Sequence, residues 1–419
     1  MFATILKRQI MRFGIKTLTA ALAIAGMSGA LAQSGETVKI GFIDPLSGPF
    51  ANVGQNMLQS WRFITEKKSG ANNAAGVNFE MVAFDNKGSP QESLTALKSA
   101  IDQGIRYVVQ GNGSGAAAAI SQAVEKHNSR NPGKEVVYLN YAAVDPSLTN
   151  EACSYWHFRL DADTSIKMQA LTSFMQGEKS ISKVYIIGQN YSHGKQVAEF
   201  FKKGIAQKRP DIEIVGDELH PIATVKDFAP YVAKIKQSGA NAIVTGNWGT
   251  DLTLLVKALN DAGLNTPLYT YYAPVSGTPT ALAGGTGQVY VVSYAHSNHD
   301  GEIGNLSAEF QKRFNDDYYT YSTFNGVTMM GDAMAKAKST DPVKVAKAME
   351  NLTFKGVSGE TTMRADDHQL QQGMWISKWQ KADAKFSYNV EKTGYTFAPV
   401  KSVDLKTAST TTTCAMKRP

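Results

Sequence analysis

Residues 37–67 read TVKIGFIDPLSGPFANVGQNMLQSWRFITEK, and this stretch sets the pattern for the chain. It begins with the β-rich run TVKIGFID, passes through the turn Pro45-Leu46-Ser47-Gly48-Pro49, and continues as a helical pattern over 53–67. A strand, a turn and a helix form the first part of a βαβ unit. The stretch therefore predicts an α/β fold.

The same alternation recurs along the chain. Further strands are predicted at VNFEMVAFD, YVVQ, EVVYLNY, KVYIIG, IEIVG, NAIVTG and PLYTYY, with helices between them. Helices of about 10–20 residues between strands indicate parallel sheets built from right-handed βαβ units. The strands form two series, the second starting near Asp161, and a chain of 419 residues exceeds the usual limit of one core at about 250–300 residues. We therefore expect two α/β lobes.

The C-terminal third departs from this alternation. Residues 301–351 are predicted to be helical, with Met and Phe at a spacing typical of core packing. MWISKWQ (374–380) and KFSYNV (385–390) alternate like antiparallel strands. The chain is therefore expected to cross back between the lobes after the second series.

The distribution of charge indicates a compartment. A net charge of +7 is compatible with nucleic-acid binding until its position is considered. The first 16 residues contain Lys7, Arg8, Arg12 and Lys16 and no acid, and no charge follows in residues 17–35. This basic N-terminal region precedes a short apolar segment that ends in Ala30-Leu31-Ala32. The pattern predicts a signal peptide over residues 1–32.

Removal of that segment leaves a net charge near +3, so we predict a secreted, soluble protein with no nucleic-acid partner. Either Met1 or Met11 is the start of the signal peptide. The alternative is a membrane span, which needs about 20 mainly apolar residues. The apolar segment of the predicted signal peptide is short and rich in Ala, Gly, Ser and Thr.

The two cysteines, Cys153 and Cys414, are expected in an oxidising compartment. A disulfide that ties the C-terminal tail to the body of the protein is predicted. Two unpaired thiols are the alternative, because sequence separation does not test the geometry of a bond.

A glycine-rich turn, YVVQGNGSGAAAAI, lies between a predicted strand and a predicted helix. Gly111, Gly113 and Ala116 fit a loose dinucleotide-binding pattern, but the acid expected after the next strand is missing. A nucleophile elbow around Ser114 would need glycine where Asn112 and Ala116 stand. Ser114 at a helix N-terminus favours an anion such as a carboxylate, and an ordinary N-cap without a ligand is the alternative.

Aromatic residues follow strands of the second series. Tyr191 follows KVYIIGQN, Trp248 follows NAIVTGN, and Tyr271 and Tyr272 follow PLYT. Ligands of open α/β sheets bind outside the carboxyl ends of the strands. These aromatics are predicted to wall a site for an apolar or flat ligand, although one of them alone would be explained by loop packing.

The segment His296-Ser297-Asn298-His299-Asp300 offers groups that bind metals. Because no third and fourth ligand stand at a recognisable spacing, we predict neither a metal nor a cofactor.

Several blocks of the chain resemble a known family. They are VKIGFIDPLSGPFANVGQNM, AFDNKGSPQESLTALKSAIDQGIRYVV, GNGSGAAAAIS, NYAAVDPSLTN, VYIIGQNYSHG and ANAIVTGNWGTDLTLLVKALNDAGL. Over essentially the whole mature chain, the sequence is similar to the periplasmic ligand-binding proteins of branched-chain amino acid ABC transporters, in the type I periplasmic-binding-protein superfamily.

The resemblance implies two Rossmann-like lobes with parallel sheets that close on a ligand like a flytrap. Three crossovers are expected near Phe158–Asp161, Ser293–His296 and Gln371–Gly373. The N-terminal lobe would then comprise residues 36–158 plus 296–371, and the C-terminal lobe residues 161–293 plus 373–419.

The resemblance also implies ligand contacts from the first lobe. The ligand carboxylate would be held by Ser114 and by backbone amides beside Gly113. The next loop would supply the carbonyl of Ala142, and Val144 stands where the family has a threonine. Val53 replaces a first-lobe tyrosine that often follows the S-G-P turn.

The matching second-lobe aromatics are Tyr191 and Trp248, and Tyr321 is expected to line the far side. Tyr272 stands where amino acid binders have an acid that holds the ligand ammonium. Two ligand classes therefore remain open: a branched-chain or related amino acid, or a carboxylate or amide relative.

We therefore predict a monomeric, non-enzymatic solute-binding protein of the periplasm that captures a small ligand by lobe closure and delivers it to an ABC permease. The alternatives are a sensory receptor with the same flytrap fold and a secreted hydrolase that uses Ser114 as its nucleophile.

Overall fold

Two parallel-stranded sheets organise the computed structural model, which describes residues 35–285 and 287–419. The first sheet has five strands in the spatial order β2-β1-β3-β4-β5. They are β1 (Thr37–Asp44), β2 (Asn78–Asp85), β3 (Tyr107–Gln110), β4 (Val137–Asn140) and β5 (His157–Arg159). All neighbours in this sheet are parallel.

The second sheet has seven strands in the spatial order β15-β14-β10-β9-β8-β6-β7. They are β6 (Lys183–Gln189), β7 (Glu213–His220), β8 (Ala242–Thr245), β9 (Leu268–Thr270), β10 (Val289–Ser293), β14 (Met374–Lys381) and β15 (Tyr395–Val403). Strands β6 to β10 are parallel, and β14 and β15 are antiparallel to their neighbours. A small antiparallel sheet holds β11 (Thr353–Gly356), β12 (Gly359–Met363) and β13 (Leu370–Gln371).

Helices connect the strands. They are α1 (Ala51–Lys67), α2 (Pro90–Asp102), α3 (Ser114–Arg130), α4 (Thr164–Met175), α5 (Ser192–Lys208), α6 (Ala229–Gln237), α7 (Gly249–Asp261), α8 (Thr278–Ala283), α9 (Gly301–Phe314), α10 (Ser322–Ala337), α11 (Pro342–Met349) and α12 (Leu405–Ala408). None of the described helices is long and apolar enough to cross a membrane. The predicted signal peptide, residues 1–32, lies outside the described residues.

The predicted fold class of two α/β lobes is confirmed, but one predicted strand is wrong. KFSYNV (385–390) forms a loop and the start of a 3-10 turn. The carboxylate of Asp383 accepts hydrogen bonds from the backbone N–H groups of Lys385 and Phe386, which turns the chain. The partner strand of β14 is β15, which begins after this turn.

The turn between β3 and α3 is held by the carboxyl group of a residue on the neighbouring strand. Asp44 ends β1 and is fully buried. Its two oxygens accept the backbone N–H groups of Gly111 (2.9 Å) and Asn112 (2.7 Å), and the hydroxyl of Tyr141 also donates to it. Because each oxygen has a partner, the buried carboxyl group fixes the turn that leads into α3.

The chain leaves the first sheet after β5 and enters the second sheet at β6, and it leaves the small third sheet after β13 and enters the second sheet again at β14. Arg159 joins these two passages. Its guanidinium is fully buried, donates to Oε1 of Gln369 (2.6 Å) and pairs with Asp163 (2.9 Å). Its backbone N–H donates to the carbonyl of His368 (2.9 Å). One side chain thus connects the two passages.

The C-terminal tail contacts both halves of the molecule. Helix α12 packs against α4, and beyond it the backbone N–H of Thr413 donates to Asn150 at 2.9 Å. Cys414 forms the predicted disulfide with Cys153, with 5.7 Å between their Cα atoms. The last residues therefore pack on a loop of the half that contains the first sheet.

Reduction of this disulfide is expected to lower the free energy of unfolding by about 2–4 kcal/mol, because the bond closes a long loop in the unfolded chain. Denaturant melts with and without a reductant measure this effect. The double variant Cys153→Ser/Cys414→Ser is the control and should show the lower stability in both conditions. If the unfolding curve of the native protein were identical with and without reductant, the expectation would be wrong.

Burial raises the pKa of Asp44 to about 7. Because this lies above the unfolded-state value of about 3.9, the stability that the residue contributes is full below about pH 4 and is lost as the pH rises through 7. Asparagine at position 44 does not titrate. The difference in free energy of unfolding between Asp44→Asn and the native protein should therefore shift in favour of the variant as the pH rises from 4 to 8. Thermal melts across this range measure the difference.

The matched control for this experiment is Asp261→Asn, a change at an exposed residue at the end of α7. A pH profile of Asp44→Asn that runs parallel to that of the native protein would refute the assignment.

Candidate functional site

A cavity lies where the loops at the carboxyl ends of the two sheets meet, and we call it the interlobe cavity. Its lining combines loops of both halves with residues of α1 and the start of α3: Val53, Met57, Gly111, Asn112, Gly113, Ser114, Ala142, Ala143, Val144, Tyr191, Trp248, Tyr272 and Val275. The volume open to the centre of a water molecule is about 30 Å³. This is the position at which open α/β sheets bind ligands.

The first-sheet side of the cavity is formed by the N-terminus of α3. Gly113 precedes the helix with φ +88°, a conformation that favours glycine. A side chain at Gly111 would place its Cβ 2.6 Å from the ring of Tyr141. The sequence thus brings Ser114 and the first N–H groups of α3, which have no partner within the helix, to the cavity. This geometry suits a carboxylate.

The loop after β4 forms the next part of the wall. The side chain of Asn140 donates to the carbonyl of Ala143 and accepts from its N–H, both at 2.8 Å. The carbonyl of Val144 accepts the N–H and the hydroxyl of Thr164, each at 2.9 Å. These bonds hold Ala142 and Val144 in the cavity lining.

Aromatic side chains form the opposite wall. Tyr191 and Trp248 each precede the first residue of a helix, at the ends of the loops after β6 and β8. The indole N–H of Trp248 donates to the hydroxyl of Tyr191 at 2.9 Å. Burial raises the pKa of the Tyr191 phenol, so this hydroxyl stays neutral and its wall of the cavity carries no charge near neutral pH.

Contacts across the cavity mouth join the two halves. Phe50, at the start of α1, stacks on Trp248 with 4.2 Å between the ring centroids. The hydroxyl of Thr250 donates to the carbonyl of Pro49 at 3.2 Å. The cavity is therefore covered by residues from both halves, as in a closed clamp.

Seven of the eight predicted ligand residues line the interlobe cavity. They are Gly113, Ser114, Ala142, Val144, Tyr191, Trp248 and Tyr272. Tyr321 does not, because it directly precedes α10 and its hydroxyl lies 3.4 Å from that of Ser307 on α9. Its neighbours Thr320 and Ser322 line an adjoining cavity instead.

Sequence reasoning missed Asp44 and Phe50. Asp44 acts through a turn 67 residues away, so only its place at the end of β1, beside β3, could have pointed to it. Phe50 directly follows the S-G-P turn. It could not be identified from the sequence, because the sequence does not show which residues contact each other across the two halves.

Comparisons with known proteins agree with this architecture. A family model described as periplasmic binding protein matches residues 37–385. The Leu/Ile/Val-binding protein homolog 4 of Brucella abortus (strain 2308) is 32% identical over 411 residues, which cover 96% of this chain and 97% of that protein.

Two solved structures are similar to the chain. The Leu-, Ile-, Val-, Thr- and Ala-binding protein of Brucella ovis in a closed conformation has a TM-score of 0.79 and 29% identity, and the match covers 92% of this chain and 100% of that one. A solute-binding protein from Rhodopseudomonas palustris HaA2 in complex with p-hydroxybenzoic acid has a TM-score of 0.74 and 20% identity, and covers 88% and 98%; it shares the fold. The chain therefore belongs to the periplasmic binding protein family.

Proposed function

We propose that the protein captures a small carboxylate-bearing solute between its two lobes and delivers it to an ABC permease. The observation that carries this proposal is the cavity in which Ser114 and the N-terminus of α3 face the aromatic wall of Tyr191, Trp248 and Tyr272. One wall suits a carboxylate and the other an apolar body.

The proposed ligand class rests on the relatives and on the chemistry of the cavity lining. Relatives with 29–32% identity carry names that refer to Leu, Ile, Val, Thr and Ala binding. In this chain Tyr272 stands at the predicted ammonium position, and the lining of the interlobe cavity contains no carboxylate among the described residues. We therefore propose a branched-chain or related amino acid, or a small carboxylate or amide relative.

The family supports an extracytoplasmic location. We propose the periplasm, reached with the signal peptide of residues 1–32, and a monomer as the working form. The division into lobes at residues 36–158 plus 296–371 and 161–293 plus 373–419 is part of the same proposal. Closure of the lobes would be stabilised by contacts that form only when both touch the ligand.

The two alternatives receive less support. A hydrolase that uses Ser114 would need a general base, and no described His, Asp or Glu lines the interlobe cavity. A sensory receptor would share the flytrap and differ in its partner. Neither has a specific observation in its favour, so solute delivery remains the proposal.

Ser114→Ala is expected to weaken ligand binding about 10- to 100-fold, because a hydrogen bond to a charged group contributes about 1.5–3 kcal/mol. A thermal-shift screen of amino acids, amides and aromatic acids selects the ligand, and titration calorimetry measures its Kd.

Ser129→Ala, on the exposed C-terminal part of the same helix, is the matched control and should keep the native affinity. If Ser114→Ala binds as tightly as the control, the anchoring role is wrong. If no compound in these classes shifts the melting temperature, the ligand class is wrong.

Phe50→Ala should weaken binding about 3- to 10-fold without a comparable loss of stability, because the stacking on Trp248 forms across the closed mouth. The expected change is a faster dissociation rate, measured by stopped-flow fluorescence of the ligand complex. Phe386→Ala, in the loop after β14, serves as the control. Equal dissociation rates for the two variants would exclude a role of Phe50 in closure.

A further inference from the structure

A second cavity adjoins the interlobe cavity, and we call it the distal cavity. Met57, Ala142, Tyr272 and Val275 line both cavities, so the two are separated by no more than these side chains. The volume of the distal cavity open to the centre of a water molecule is about 60 Å³. Since one water-sized group needs about 10–15 Å³ by this measure, the two cavities together suit a ligand of about six to nine such groups.

Four buried polar atoms of the distal-cavity lining have no hydrogen-bond partner in the part of the chain that the structure describes. They are Oδ1 of Asp161, the hydroxyl of Tyr271, Oγ1 of Thr320 and Oγ of Ser322. Each of these residues is at most 4% exposed. Native proteins leave few buried polar atoms unpaired, because each costs free energy. Four around one cavity point to a polar ligand group as their partner.

The charges at this cavity indicate the chemistry of that group. Lys167 pairs with Oδ2 of Asp161 at 2.7 Å and also donates to the carbonyl of Ala162 at 2.7 Å. Its ammonium lies 5.5 Å from the centre of the Tyr271 ring. Because the two buried charges compensate each other, a further full charge would have no counter-ion there.

An uncharged group that both donates and accepts fits the four atoms. The free oxygen of Asp161 can only accept, whereas the hydroxyls of Tyr271 and Thr320 can donate. A hydroxyl or a carboxamide satisfies both requirements, and an alkyl group satisfies neither.

We propose that the distal cavity is a specificity subsite for a hydroxyl or carboxamide at the end of the ligand opposite to its carboxylate. This inference rests on the proposed function, because it takes the carboxylate to be bound at Ser114. The ligand then spans from the N-terminus of α3 to the hinge passage at Asp161.

Isosteric pairs of carboxylates test the subsite. Threonine is compared with valine, 4-hydroxybutanoate with pentanoate, and 4-hydroxybenzoate with 4-methylbenzoate, so that each pair exchanges a hydroxyl for a methyl group. In the pair that binds most tightly, the hydroxyl member should have a Kd about 10- to 100-fold lower, as measured by calorimetry. Equal or tighter binding of the methyl member in every pair would overturn the inference.

Two variants remove unpartnered hydroxyls without disturbing the Asp161–Lys167 pair. Thr320→Val and Tyr271→Phe should each reduce the hydroxyl preference about tenfold. In both variants the melting temperature should stay the same or rise by up to about 3 °C, because an unpaired buried group is removed. Asp161 itself is left intact, since its loss would strand a buried ammonium.

Thr328→Val is the matched control. Thr328 lies on α10, its Oγ1 is also buried and unpartnered, and it lines neither cavity. Its melting temperature should also be kept or raised, while its hydroxyl preference stays native. A fall in preference equal to that of Thr320→Val would assign the effect to packing and refute the subsite.

The test separates the two levels of the proposal. Ser114→Ala should weaken both members of a pair equally. Binding that depends on Ser114 but shows no hydroxyl preference refutes the subsite alone. Absence of binding by all six compounds refutes the proposed carboxylate site and the subsite with it.

Discussion

The buried carboxyl group of Asp44 is the interaction on which the candidate site depends. It stands at the end of β1 and binds the backbone of Gly111 and Asn112, so the turn before α3 cannot move independently of the sheet. This turn aims the N-terminus of α3 at the cavity. The burial of a carboxyl group costs free energy, and the raised pKa of Asp44 reflects this cost, which its three hydrogen bonds partly offset.

The rest of the site follows from the topology. Parallel strands end at one edge, so the loops after β3 and β4 face those after β6, β8 and β9 across a single cleft. Phe50 and Trp248 close its mouth, and Arg159 fixes the passage behind it. A ligand held by Ser114 and covered by Trp248 would therefore touch both lobes at once, which is the requirement for binding to favour closure.

The sequence predicted the fold well because strand and helix periodicities are local properties. The parallel alternation followed from the spacing of strands and helices, and the Cys153–Cys414 disulfide from two cysteines in a chain predicted to be secreted. Strand ends and the family resemblance placed seven ligand-site candidates around one cavity. The strand at KFSYNV was wrong, because an Asp383 turn outweighed the alternating pattern.

What could not be predicted depends on contacts between distant segments. Tyr321 was placed in the site from the family resemblance, whereas its neighbours Thr320 and Ser322 line the distal cavity. Asp161 could be placed near a crossover, but its pairing with Lys167 and its free oxygen required the folded structure. Burial and partner choice are properties of the tertiary structure, which no local pattern encodes.

A small carboxylate that binds between the lobes is expected to hold them closed. Small-angle X-ray scattering during a titration with the carboxylate selected by the thermal-shift screen measures this closure. We expect a decrease in the radius of gyration that saturates at one ligand per chain and that requires about 10- to 100-fold more ligand for Ser114→Ala. Saturable binding with an unchanged radius of gyration would refute closure on the ligand.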